Sequence, residues 1–205
     1  MKPPPILPVR RLTFAAALIP AAALAYNAFP GTLTANPVDY ITDQTGTWAL
    51  AMLTISLAVT PVRRLTGWNE VIKLRRMLGL FAFFYACLHL LTWVVLVSFF
   101  DVPTMLDDIA ERPFITVGMA TFLILLALAL TSTRASIRRL GRKWQQLHRL
   151  VYVAAVGAVV HFWWLVKADV TEPRRWALAV AVVLGFRVWW TLRSRAAVAR
   201  TVSRS

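Results

Sequence analysis

Apolar positions in this chain neither alternate with polar ones nor recur at the spacing of a half-buried surface helix; they come in long runs. A helix crossing about 30 Å of hydrocarbon needs about 20 consecutive, mostly apolar residues. Six segments meet this demand: Leu12–Ala28, Thr47–Val62, Met77–Phe100, Phe114–Thr131, Gln146–Val166 and Trp176–Leu192. The pattern predicts an all-α integral membrane protein, a single six-transmembrane-helix bundle over residues 12–192. Residues 1–11, with Pro3, Pro4, Pro5 and Pro8, read as a floppy tail, and residues 193–205 as a basic tail. No internal repeat and no soluble domain is evident.

Charge between the runs orients them. Lys2, Arg10 and Arg11 precede the first run; Arg63, Arg64, Lys73, Arg75 and Arg76 follow the second. Arg134, Arg138, Arg139, Arg142 and Lys143 follow the fourth, and Arg193, Arg195, Arg200 and Arg204 follow the sixth. The alternate loops hold Arg112, Lys167, Arg174 and Arg175 with eight of the nine acids: Asp39, Asp43, Asp101, Asp107, Asp108, Glu111, Asp169 and Glu172. Positive charge marks the cytoplasmic side, so both termini are expected inside. The start of the chain also has the basic, apolar and small-residue order of a secretory signal. The length of its apolar run favours an uncleaved first helix. Trp48, Trp144, Trp163, Trp164, Trp176 and Trp189 fall near predicted helix ends, where an aromatic belt would sit.

The net charge of +14 would suit nucleic acid on a soluble domain. Here it is divided into short clusters between apolar runs, which excludes that partner and points to lipid headgroups. A docking surface, or a phosphate site for a flavin nucleotide on the cytoplasmic face, is the functional alternative. The single cysteine, Cys87, excludes an internal disulfide and a Cys-based metal cluster within one chain. It reads as a small packing residue.

The chain has three histidines, and the apolar runs hold all of them. His89 lies in the third predicted helix, His148 and His161 in the fifth. Both helices run outward, so depths compare directly. His89 is about 18 Å above the start of its helix and His161 about 22 Å above the start of its own. Two neutral imidazoles at one depth suit the axial positions of a low-spin b-type haem. A polar residue within a span is costly and usually functional. An interhelical hydrogen bond or a proton relay is the alternative. His148 lies about 20 Å from His161 along the axis and on a face turned by about 140°. That spacing suits a second, stacked haem, and it equally suits a histidine at the headgroups. At its level the third helix offers Arg75, Arg76 and Met77 in place of a histidine. A second haem would take Met77, another ligand or water, with Arg75 or Arg76 on its propionates. Gly157 is a place where the fifth helix could distort.

The stretches RRMLGLFAFFYACLH (Arg75–His89) and WQQLHRLVYVAAVGAVVH (Trp144–His161) closely resemble the MsrQ (YedZ) family. Its members are haem-binding membrane subunits of the bacterial periplasmic protein-methionine-sulfoxide reductase system, within the ferric-reductase-like transmembrane superfamily. The resemblance covers nearly the whole chain. It implies an electron conduit in the inner membrane, taking electrons from the quinone pool or a cytosolic flavin reductase. It implies a periplasmic molybdopterin-containing reductase subunit as the acceptor, with that partner carrying the catalytic centre. By position, His89, His148 and His161 match the family's haem histidines. The family is also associated with FMN, to which no residue here is assigned. Two-haem members of the superfamily carry two histidines on each of the two helices. In this chain Arg75 and Arg76 stand at the inner level of the third, which puts one bis-histidine haem b site on firmer ground than two.

No G-x-G-x-x-G motif on a strand–helix unit appears, so an external electron donor is expected. A stand-alone quinol- or ferric-reducing cytochrome is the alternative in the same class, and a histidine-relay proton channel or transporter in another. Against the channel, no span centre is expected to carry Asp, Glu, Lys or Arg. The acidic stretches Asp101–Glu111 and Asp169–Glu172 are candidates for docking the periplasmic partner, or ordinary solvated loops.

Overall fold

The computed structural model describes residues 5–28, 34–166 and 168–202, with side chains through residue 196. Lys2, Pro3, Pro4, Lys167 and Arg204, and the side chain of Arg200, lie outside the described residues. Nine α-helices follow in order among the described residues: α1 (Ile6–Ala28), α2 (Pro37–Thr66), α3 (Leu74–Leu91), α4 (Val102–Glu111), α5 (Pro113–Leu130), α6 (Arg134–Leu140), α7 (Arg142–His148), α8 (Leu150–Leu165) and α9 (Thr171–Val202). A 3-10 turn, Asn69–Lys73, leads into α3, and a π-helical turn, Thr92–Val97, leaves it. Six helical stretches are long and apolar enough to span a bilayer: α1, α2, Asn69–Val97, α5, Arg142–Leu165 and α9 to Ala196. The protein is an all-α, six-span membrane bundle, as the hydropathy pattern predicts.

The helix ends differ from that pattern, and the reason is polar capping, to which hydropathy is blind. α2 starts ten residues early because Asn36 accepts from the Asp39 N–H and Pro37 occupies the first turn. The hydroxyls of Thr42 and Thr45 then return to the carbonyls of Val38 and Ile41, so a polar first turn stays helical. Asp101 caps α4 in the same way, accepting from both the N–H and the hydroxyl of Thr104. The stretch expected as a loop is therefore a helix. At the other end of the chain's spans, α1 starts at Ile6 and α9 runs on to Val202. Arg10, Arg11, Arg193 and Arg195 thus ride on helices and not on tails. The fifth predicted helix is tightened at Arg149, where the Arg149 and Tyr152 N–H groups bond three residues back, and not at Gly157. Gly157 has another task. A Cβ there would collide with the Thr121 hydroxyl, so glycine lets α8 lie close on α5.

Two tightly packed pairs form the frame, α2 with α3 and α5 with α8. Leu57, Ala82, Ala154 and Ala155 are fully buried where these helices meet. Helix α1 packs on the first pair, with Phe14 edge to face on Phe81, and one side chain ties it there by hydrogen bonds. The Tyr85 hydroxyl on α3 donates to the Ala17 carbonyl (2.7 Å) and accepts from the Ala21 N–H (3.1 Å). That carbonyl and that N–H are the two ends of one ordinary turn of α1. The tyrosine is inserted into the turn, beside Pro20, whose ring nitrogen can donate nothing. Trp48 packs on Tyr85, with ring centres 6.3 Å apart, and Trp144 on His148 at 4.0 Å. Trp48 thus packs within the bundle, and Trp144 is half-buried near the start of its span. Trp163, Trp164 and Trp189 are exposed as a belt requires.

Tyr85→Phe leaves a buried N–H and carbonyl without their bridge. It should cost about 1–3 kcal/mol and lower the thermal midpoint of the purified protein in detergent. An unchanged midpoint would show that the Ala17–Ala21 turn closes without the hydroxyl.

Candidate functional site

His89 is carried by α3 and His161 by α8, and the fold brings their rings to 6.0 Å between centres, with planes at 80°. Each ring is held by the partner helix of its own pair. His89 Nδ1 lies 3.0 Å from the Thr42 carbonyl on α2, and His161 Nδ1 lies 2.6 Å from the Phe114 carbonyl on α5. A carbonyl only accepts, so both Nδ1 atoms carry the proton. Both Nε2 atoms therefore keep a free lone pair.

Glycine makes this approach feasible. One turn beyond each carbonyl stands a glycine, Gly46 after Thr42 and Gly118 after Phe114. A Cβ on Gly46 would come within 3.1 Å of the His89 ring, and one on Gly118 within 2.7 Å of the His161 ring. The two half-sites are built alike: carbonyl, glycine one turn on, and histidine 47 positions after the carbonyl in both. Ala82 and Ala154, each seven residues before its histidine, are both fully buried. The chain thus carries a structural repeat, α2–α3 and α5–α8, where none was evident in the sequence. Too few side chains are shared for a sequence match; the backbone contacts reveal it.

A cavity of 450 Å³ adjoins both rings, within the range of about 300–1,000 Å³ of cofactor sites. Its wall is apolar, with Leu50, Leu53, Met119, Phe122, Leu125 and Phe162 among the lining. The π-helical turn contributes Trp93 and Val97 to the wall directly after His89, and π-turns concentrate at functional sites. Asp39 and Asp43 stand at the acidic end of the cavity with the Asp108–Arg112 ion pair (2.9 Å). Two imidazoles on opposite sides of one metal, at bonds of about 2 Å, have ring centres roughly 6 Å apart. The observed separation, the fixed tautomers and the largely apolar wall together fit a bis-histidine haem.

His148 is differently placed. It stacks on Trp144 and its Nε2 is 3.1 Å from the Thr131 hydroxyl. That hydroxyl spends its proton on the Ala127 carbonyl (2.7 Å), so His148 Nε2–H is the donor. Trp144 Nε1 donates to the Thr131 carbonyl and holds the group together. The sequence places Arg75, Arg76 and Met77 opposite His148 by depth; azimuth separates them. Arg75 is close enough for its charge to act on His148, whereas Arg76 and Met77 line a groove against α1 whose wall does not include His148.

One charged residue within a span is absent from the sequence reading. Arg187 lies inside the sixth span, contrary to the expectation that no span carries a charge at depth. Its guanidinium donates to the Tyr152 hydroxyl (2.8 Å) and the Leu57 carbonyl (2.5 Å), while its buried Nε has no partner among the described residues. Arg64 and Arg75 are near enough to repel it. A lone arginine in ALAVAVVLGFRVWWTL was the available signal, and the apolar average over the window hid it.

The glycine cradles make a direct prediction. Gly118→Ala should destabilise the protein by about 1–3 kcal/mol through overpacking against His161. Gly185→Ala, where a Cβ meets nothing within 4 Å, should stabilise by about 0.5–1 kcal/mol. Thermal melts of the two variants check the contrast, and equal midpoints would contradict it.

Residues 45–159 match the family described as ferric reductase like transmembrane component. Over most of its length the chain is similar to curated proteins named protein-methionine-sulfoxide reductase heme-binding subunit MsrQ. The relative from Herminiimonas arsenicoxydans is 48% identical over 94% of this chain and 90% of its own. That from Ralstonia nicotianae is 49% identical over 94% and 91%, and that from Bordetella pertussis 46% over 92% and 93%. No solved structure matches. With the paired helices, the facing histidines and this similarity along nearly the whole chain, the protein belongs to the MsrQ family of ferric-reductase-like membrane proteins.

Proposed function

We propose that the chain is the haem-binding, electron-carrying membrane subunit of a protein-methionine-sulfoxide reductase system. The observation that carries this is the pair His89 and His161, each with Nδ1–H on a helix carbonyl and Nε2 free. Haem supplies one-electron chemistry at that site. The residues hold and tune it. Thr42 and Phe114 fix the tautomer and the ring orientation, and an acceptor on Nδ1–H makes Nε2 a stronger ligand. Gly46 and Gly118 give the rings room, and the wall beside them is largely apolar. A proton relay fits less well. It would need Nδ1 to exchange its proton onward, and each Nδ1 faces a backbone carbonyl already committed to a helix.

The rest follows from what the relatives' names and the charge pattern support. The basic end is cytoplasmic and the acidic end periplasmic, in the bacterial inner membrane. The acceptor is a periplasmic molybdopterin-containing reductase subunit, docking at the acidic end around α4. The donor is the quinone pool or a cytosolic flavin reductase. We take His148, Arg75, Arg64 and Arg187 as the candidates for an inner level at the basic end. Three cations with a shared field suit an anionic group, haem propionates or the phosphate of FMN, though FMN rests on family resemblance alone. Arg76 and Met77 are not assigned to that level.

The purified protein, expressed with ample haem, should be coloured, with Soret and alpha bands that sharpen and shift on dithionite. His89→Ala or His161→Ala should each remove most of the low-spin spectrum. His148→Ala should retain it. A colourless wild type, or loss of the spectrum in His148→Ala alone, would overturn the assignment.

A further inference from the structure

At the basic end, α1 and α3 part and leave a groove of 1010 Å³. Its rim is cationic: Arg10 and Arg11 from α1, Lys73 from the 3-10 turn, Arg76 from the start of α3, and Arg134 from α6. No acid lines it. Lys73 pairs with Glu70, and among the described residues the four arginines form no ion pair. Below the rim the groove turns apolar, between Phe14 and Leu18 of α1 and Met77, Phe81 and Phe84 of α3. Phe14 and Phe81 meet edge to face at 5.2 Å. From Met77 to Phe84 the apolar wall runs about 10 Å along the helix axis.

Charge complementarity fixes the occupant. The rim asks for an anion, and the wall, at bilayer depth, asks for a hydrocarbon chain attached to it. A free phosphate would satisfy only the rim, and a neutral quinone only the wall. We propose that this groove binds an acidic phospholipid, its phosphate among Arg10, Arg11, Arg76 and Arg134 and an acyl chain along Phe14, Phe81 and Phe84. Basic pockets between spans on the cytoplasmic side recognise lipid headgroups by this means. The site is independent of the haem reading, since it shares no lining residue with the histidine cavity. It also adds a lipid-mediated attachment of α1 to the direct ones at Tyr85 and Phe81.

The test uses the full chain, purified in neutral detergent, exchanged against equimolar phosphatidylglycerol and phosphatidylcholine, and weighed with its retained lipid by native mass spectrometry. The wild type should retain phosphatidylglycerol selectively. Each cation near the headgroup contributes roughly fivefold. Arg10→Gln/Arg11→Gln/Arg76→Gln should therefore lose about a hundredfold, and Arg76→Gln alone about fivefold. The triple variant Arg138→Gln/Arg139→Gln/Arg142→Gln removes equal charge from the same end outside the groove and should retain the lipid. The single variant decides the matter should the triple fail to fold. Equal retention of the two lipids, equal loss in the control variant, or displacement of the lipid by glycerol phosphate at the same concentration would each overturn the proposal.

Discussion

Everything at the centre of this protein depends on where two imidazole N–H groups find acceptors in hydrocarbon. A bilayer interior offers no water, so the acceptor has to be protein. The chain uses main-chain carbonyls, Thr42 for His89 and Phe114 for His161. A helix carbonyl is normally screened by the side chain one turn on. Placing glycine there, at positions 46 and 118, opens the path. The hydrogen bond then does two things. It stabilises a buried polar ring, and it leaves the opposite nitrogen with a lone pair of fixed direction.

This constraint explains the frame. Each histidine needs an adjacent helix running beside its own, so the structure is two helix pairs rather than six equivalent spans. The α5–α8 pair is tightened by Gly157 against Thr121, and the α2–α3 pair by buried Ala82 and Tyr85. The pairs then face one another across the cavity. α1 and α9 are peripheral to it. α9 still contributes Arg187, which reaches across to Leu57 on α2 and Tyr152 on α8 and so joins the two pairs at the basic end.

The spans and the histidine pair were legible in the sequence because both depend on single-residue properties, apolar runs and rare ionisable groups within them. The depth match of His89 and His161 needed only the rise of a helix. What depth cannot give is azimuth. Arg76 and Met77 lie at the level of His148 but face α1, since neighbouring residues point about 100° apart. The helix starts after Asn36 and Asp101 are invisible to hydropathy because capping is polar. The repeat was missed because its shared features are a carbonyl, which has no sequence letter, a glycine and a histidine. Arg187 was missed because a single guanidinium is averaged away among valines and leucines.

The central claim is that one iron is held between His89 and His161 with the ring orientations fixed by the two carbonyls. Electron paramagnetic resonance of the oxidised protein reads both parts directly. Imidazole planes near the observed 80° predict a strongly anisotropic low-spin ferric signal dominated by one large g value. A high-spin signal would contradict bis-histidine ligation, and an ordinary rhombic low-spin signal, the mark of near-parallel rings, would contradict the orientation.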